Sequence, residues 1–272
     1  MKLSEEKNKT SSLGKGRKLI GLSSLILLAF VHPCFSQLGS HSQEVWPSVD
    51  AYLRLNKKWR LYGTVSGTKL NESSYADGAA GIFADYYSAP LSFVQKRIHN
   101  RKDSLPGKYI SFRFGYQYSA TPPSSEDPFK ENTIVTEANA RFYLPWEMLL
   151  TAKNRFDWRY KEGDFNVRYR PRINIERDMH TDFLYFTASG FVEYFANFGN
   201  GQVNKLRTQL SVELRITKHI NYEVFWNHQF ENQPQVSKLD AFGMTLKIYM
   251  DKKDFKKPLF KKRKGNSTHE EK

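Results

Sequence analysis

Apolar and polar residues alternate with period two along most of this chain, in segments of about ten residues. The pattern is sharpest in KNRFDWRYKEGDFNVRYRPRINIER, residues 153–177. Lys153, Arg155, Asp157 and Arg159 take every second position, with Phe156, Trp158 and Tyr160 between them. After Glu162, Gly163 and Asp164 the alternation restarts. Val167, Tyr169, Ile173 and Ile175 are then set against Arg168, Arg170, Arg172, Asn174 and Glu176. Successive side chains of a strand point to opposite faces, so this is a hairpin with one apolar and one charged face. Eleven segments read this way: 46–56, 59–70, 79–87, 109–119, 133–144, 149–160, 165–177, 183–195, 205–216, 220–230 and 241–250. In 205–216, Leu206, Thr208, Leu210, Val212 and Leu214 oppose Arg207, Gln209, Ser211, Glu213 and Arg215.

Segments of this length suit tilted strands that cross a bilayer, and a sheet in lipid satisfies its backbone only by closing on itself. The expected fold is all-β: a closed antiparallel transmembrane β-barrel of 10–12 strands. Twelve is preferred, because single-chain bacterial barrels usually have an even number of strands with both termini in the periplasm. The long polar stretches 120–132 and 230–240 then face outward from the cell, and short turns such as LPWE and TKH face the periplasm. Segment 90–107 breaks the pattern. Leu91, Val94 and Ile98 recur at helical spacing beside Lys96, Arg97, Arg101 and Lys102, which reads as a short amphipathic helix, a solvated turn or a concealed twelfth strand.

Composition sharpens this picture. The 272 residues are 39% hydrophobic and 15% aromatic, and no internal run is apolar enough for a spanning helix. Lys15, Arg17 and Lys18 precede an apolar stretch at 19–31, and small residues follow, so 1–36 reads as a signal peptide. The barrel then occupies 37–250, and 251–272 is a basic, disordered periplasmic tail. Cys34, the single cysteine, falls in the signal, which excludes a disulfide scaffold and a thiol enzyme. The formal charge is +14, to which the signal contributes six basic and two acidic residues and the tail nine basic and four acidic. The remainder is mildly basic, so nucleic acid is not an expected partner. The expected location is the bacterial outer membrane. The expected partners are its lipid, its lipopolysaccharide and the barrel assembly machinery, whose signal the spacing of Gly243, Leu246 and Ile248 resembles.

The charged face supplies the candidate site. Arg155, Asp157, Arg159, Arg168, Arg170 and Arg172 come from the central hairpin. Glu176, Glu193, Arg207, Glu213, Arg215 and Glu223 come from the strands after it. These residues line the lumen, either as a structural network of opposed charges or as an arginine-rich path for small anionic solutes. The expected function is structural, or passive transport or binding of such solutes. The alternative is an outer-membrane enzyme acting on lipid or lipopolysaccharide. That reading needs a nucleophile beside His228, and Ser189 is the serine weighed for it. The spacing does not join the two, so no catalytic activity is expected. His180 and His219 fall in turns, no metal motif occurs, and no cofactor is implied.

WPSVDAYLRL, GYQY, EN at 131–132, FYLPWE, NRFDWRY, DFNVRYRPRINIER and VEYF occur in this order. In these motifs, over roughly residues 44 to 250, the chain resembles an uncharacterised family of Gram-negative outer-membrane proteins, a domain of unknown function. The resemblance implies an outer-membrane β-barrel and no established activity.

The phase of the strands is testable. A cation on the lipid side of a barrel costs about 2–4 kcal/mol at the bilayer midplane. Leu210→Arg is therefore expected to impair assembly more than Gln209→Arg, read from the folded band in unheated detergent gels. Equal effects would contradict the assigned faces.

Overall fold

The computed structural model describes residues 42–70, 76–88, 108–123, 128–146, 148–180, 184–198, 203–231 and 238–252. Their regular elements are all strands: β1 (Ser42–Arg54), β2 (Trp59–Leu70), β3 (Asp77–Tyr87), β4 (Lys108–Ala120), β5 (Lys130–Leu144) and β6 (Met148–Lys161), then β7 (Asp164–His180), β8 (Tyr185–Asn197), β9 (Val203–Arg215), β10 (Ile220–Glu231) and β11 (Lys238–Asp251). Each strand pairs antiparallel with the next, and β1 pairs with β11 to close the barrel. The signal and the helix considered at 90–107 lie outside the described residues, as does the tail from 253 on; Asp251, expected to begin the tail, instead ends β11.

The turns explain the hairpins locally. Between β6 and β7, Glu162 and Gly163 adopt φ of 52° and 99°, the left-handed pair that matches the twist of a two-residue hairpin. Between β1 and β2, Asn56 Oδ1 accepts from the amides of Lys58 and Trp59. Between β9 and β10, Thr217 Oγ1 does the same for His219 and Ile220. Such side chains replace the backbone partners lost at a bend.

The barrel has eleven strands, within the expected range but not the preferred twelve, and it is not antiparallel throughout. The β1–β11 pair is parallel, running in register from Ser42 opposite Leu239 to Arg54 opposite Asp251. A parallel ladder satisfies the same backbone groups as an antiparallel one, so closure does not require an even number. One consequence corrects the expectation that both termini share an end. β1 starts, and β11 ends, at opposite ends of the barrel. The connections after β1, β3, β5, β7 and β9 and the end of β11 share one end, here called the short-turn end for the tight turns after β1, β5, β7 and β9. The start of β1 and the β4–β5 and β10–β11 connections share the other, the long-loop end. Stretches 120–132 and 230–240 thus share an end as expected, but the grouping by length is partial: the tight β6–β7 turn falls at the long-loop end, and the longest connection, residues 88–107 between β3 and β4, falls at the short-turn end.

Polarity is inverted relative to a water-soluble protein. Val49, Val65, Ile82, Phe114, Ile173, Val192 and Leu210 point outward and are exposed, Val65 and Leu210 to 62%. Aromatic residues mark both ends of this outer wall. Trp59 and Tyr86 lie 5.1 Å apart near the short-turn end, and Tyr160 and Phe165 lie 4.9 Å apart near the other. Asp85, Glu131, Glu137, Asp157, Glu193 and Asn227 point inward and are buried. Aromatic rings fill part of the interior by lying over glycines of the next strand. A Cβ on Gly243 would collide with the Phe225 ring, and one on Gly115 with Phe83.

Candidate functional site

The inward-facing residues form two zones at different heights. Toward the long-loop end, the alternation of β6 and β7 stacks Arg155 and Asp157 against Arg168, Arg170 and Arg172. Asp157 is fully buried and receives three guanidinium groups: Arg155 at 2.5 Å, Arg168 at 2.9 Å and Arg170 at 3.3 Å. Glu193 on β8 is also fully buried. It receives Arg170 and Arg172, each at 3.0 Å, and Arg207 on β9 at 3.9 Å. Five arginines therefore converge on two carboxylates.

Other groups spread the surplus positive charge. Arg207 donates to Gln229 Oε1 at 2.7 Å. The Arg170 and Arg207 guanidinium carbons lie 4.5 and 4.9 Å from the Phe195 ring centre, and that of Arg207 lies 4.7 Å from Trp46. Arg172 lies 3.8 Å over Phe191. Aromatic faces attract cations in this way. Arg159 pairs with Glu131 beside the layer. Asp157, Glu193 and Val135 point inward yet have no accessible surface. Neighbouring arginines and rings therefore cover these side chains completely at this height.

Toward the short-turn end the interior opens into a cavity of about 440 Å³. Six basic side chains line it: Arg60, Arg113, Arg141, Lys153, Arg172 and Lys247. Six acidic ones accompany them: Asp50, Asp85, Glu137, Glu176, Glu213 and Glu223. Most are paired. Asp85 accepts from Arg60 and Arg113, each at 2.7 Å. Arg141 meets Glu176 at 2.5 Å, and Lys153 meets Glu137 at 3.3 Å. Lys247 bridges Glu213 at 2.5 Å and Glu223 at 2.7 Å. Tyr249, Tyr52, Tyr62 and Phe83 stack in sequence along the wall, with successive ring centres 4.9, 4.8 and 5.3 Å apart.

The structure thus divides the residues singled out in the sequence. Arg155, Asp157, Arg168, Arg170, Glu193 and Arg207 form the packed layer, with Arg159 beside it. Arg172 belongs to the layer and also lines the cavity. Glu176, Glu213 and Glu223 line the cavity. Arg215 stands exposed at the short-turn rim, away from both. Sequence reasoning did not select Asp50, Arg60, Asp85, Arg113, Glu137, Arg141, Lys153 and Lys247. Each occupies the polar phase of its strand, which is the signal that would have found them.

The two residues weighed for hydrolysis do not meet. Ser189 points inward, 2.7 Å from Ser211, whereas His228 is on the outer wall. There His228 Nδ1 lies 2.8 Å from Asp240 Oδ1, which also accepts from Trp226 Nε1 at 3.1 Å. His219 contacts the Tyr249 carbonyl at a turn. The His180 side chain lies outside the described residues. Among the described residues no group of acidic, His or Cys side chains has the arrangement of a metal site.

A family model described as "Protein of unknown function (DUF2490)" matches residues 43–239. No curated protein matches the chain, and no solved structure does.

Removing one partner of a buried ion pair costs about 3–5 kcal/mol, because the other charge is left uncompensated. Glu193→Gln should therefore lower the midpoint of denaturant unfolding markedly. Glu223→Gln should have a smaller effect, because Lys247 keeps Glu213. Equal midpoints would mean that the arginines do not depend on Glu193.

Proposed function

The chain belongs to this family of unknown function, with the match spanning most of the barrel, and on that premise we propose that it is an outer-membrane β-barrel with a charged, arginine-rich interior. It binds small solutes bearing an anionic group, and it is not an open pore. Membrane placement is supported by the inverted polarity: an apolar outer wall around the barrel far exceeds the exposed patches of soluble proteins. Aromatic residues near both strand ends fit the two interfaces of a bilayer.

Binding in preference to free conduction rests on one observation. Asp157 and Glu193 face the interior with no accessible surface, which supports the reading of the packed layer as a closure of the path. With the long-loop end outward, the cavity faces the periplasm. Its floor includes Arg172 and Lys153, which attract the anionic group of a solute. The enzymatic alternative, action on lipid or lipopolysaccharide, is not favoured, because His228 and Ser189 lie on opposite faces of the wall.

The protein should fractionate with the outer membrane and show no long-lived open state in planar bilayers. A stable ohmic conductance would overturn the closed reading. Recovery in the soluble periplasm would overturn the membrane reading.

A further inference from the structure

The cavity is balanced in total but not around its circumference. Strand β6 stands opposite the β1–β11 seam, five strands away in either direction. On the seam side, from β9 to β1, three carboxylates, Asp50, Glu213 and Glu223, face the cavity with one cation, Lys247. On the facing wall, from β2 to β7, five cations stand with three carboxylates. One wall is therefore net negative and the other net positive.

Asp50 is the clearest case of unmet charge. Its carboxylate accepts hydroxyls from Tyr52 at 3.1 Å, Tyr62 at 3.0 Å and Thr64 at 2.8 Å. Among the described residues no basic side chain pairs with it. Lys247, its partner across the seam, is committed to Glu213 and Glu223. Opposite, Arg172 shares its carboxylate with Arg170 and Arg207. On β5, Glu137 Oε2 and Asn139 Oδ1 are buried acceptors that no donor reaches.

A simple anion satisfies one wall and adds net charge to a chamber whose charges are otherwise balanced. A simple cation does the converse. A zwitterion meets both walls and adds none, so it avoids the cost of confining an uncompensated charge. The volume of about 440 Å³ is in the range of small-molecule sites. We propose that this cavity binds a small zwitterion of dipeptide size, its ammonium against Asp50 and Glu223 and its carboxylate against Lys153 and Arg172. The peptide N–H then supplies a donor for the unpartnered acceptors of β5. This inference rests on the reading of the barrel as a closed binding protein and adds the class of ligand.

The test uses the full chain in detergent and three probes of one shape, with binding followed by calorimetry. Alanyl-alanine carries both charges, N-acetyl-alanyl-alanine only the negative one, and alanyl-alanine amide only the positive one. The dipeptide is expected to bind at least about tenfold more tightly than either blocked form. Asp50→Asn should remove that advantage over the acetylated form. Gel mobility of the unheated variant checks its fold, and the comparison among probes needs no variant. If the acetylated form binds as well as the dipeptide, the zwitterion inference fails and anion binding stands. If none of the three binds, the inference fails, while the bilayer recording still judges the closed barrel on its own.

Discussion

Closure of the barrel by a parallel ladder between its first and last strands is the constraint on which the other features depend. Thirteen residues of β1 run beside β11 in unbroken register, so the backbone groups at both edges have partners. Side chains reinforce the joint on the inner face. Ser48 and Thr245 share a hydroxyl contact of 2.7 Å, Tyr52 stacks on Tyr249 at 4.9 Å, and Arg54 pairs with Asp251. Because the joint is parallel, the strand number is odd and the two strand termini lie at opposite ends. It also sets Asp50 beside Lys247, and so builds the acidic wall of the cavity from opposite ends of the sequence.

Inverted polarity follows from the period-two alternation once the sheet is closed, since every strand then has one inner and one outer face. Inside, charged side chains lack bulk water and must compensate one another. The arginine layer meets this need only in part, with five guanidinium groups on two carboxylates, and aromatic rings spread the remaining charge. Below the layer the interior is wider than its side chains can fill, and a charged chamber remains. Filling one half of the barrel and leaving the other open is what separates the proposed binding protein from a pore.

Much of this was legible in the chain. The alternation of 153–177 identifies the faces of β6 and β7, and the cross-strand ladder places Asp157 against Arg168 as that reading requires. The arginine layer was visible because a tight turn joins its two richest strands, which makes spatial neighbours near neighbours in sequence. For Asp50, Asp85, Glu137 and Lys247 only the inward phase was legible, because each comes from a different strand and their convergence depends on closure and register. Strand number was legible as a range of ten to twelve, and the choice of eleven within it was hidden for a similar reason. The eleven segments were countable, but the direction in which the first and last strands pair is a long-range property without a local sequence mark. Evenness is a tendency of bacterial barrels, not a requirement of hydrogen bonding.

The direction of the seam is open to direct measurement by cysteine cross-linking in a Cys34→Ser background. Val49 faces Leu246 in the observed parallel register and would also face it in an antiparallel pairing centred there, so that pair reports adjacency alone. Leu53 separates the directions, because it faces Met250 in the parallel ladder. The account predicts disulfide formation for Leu53→Cys with Met250→Cys and none for Leu53→Cys with Phe242→Cys. Cross-linking only of the second pair, or failure of both pairs and of Val49→Cys with Leu246→Cys, would contradict the eleven-stranded parallel closure.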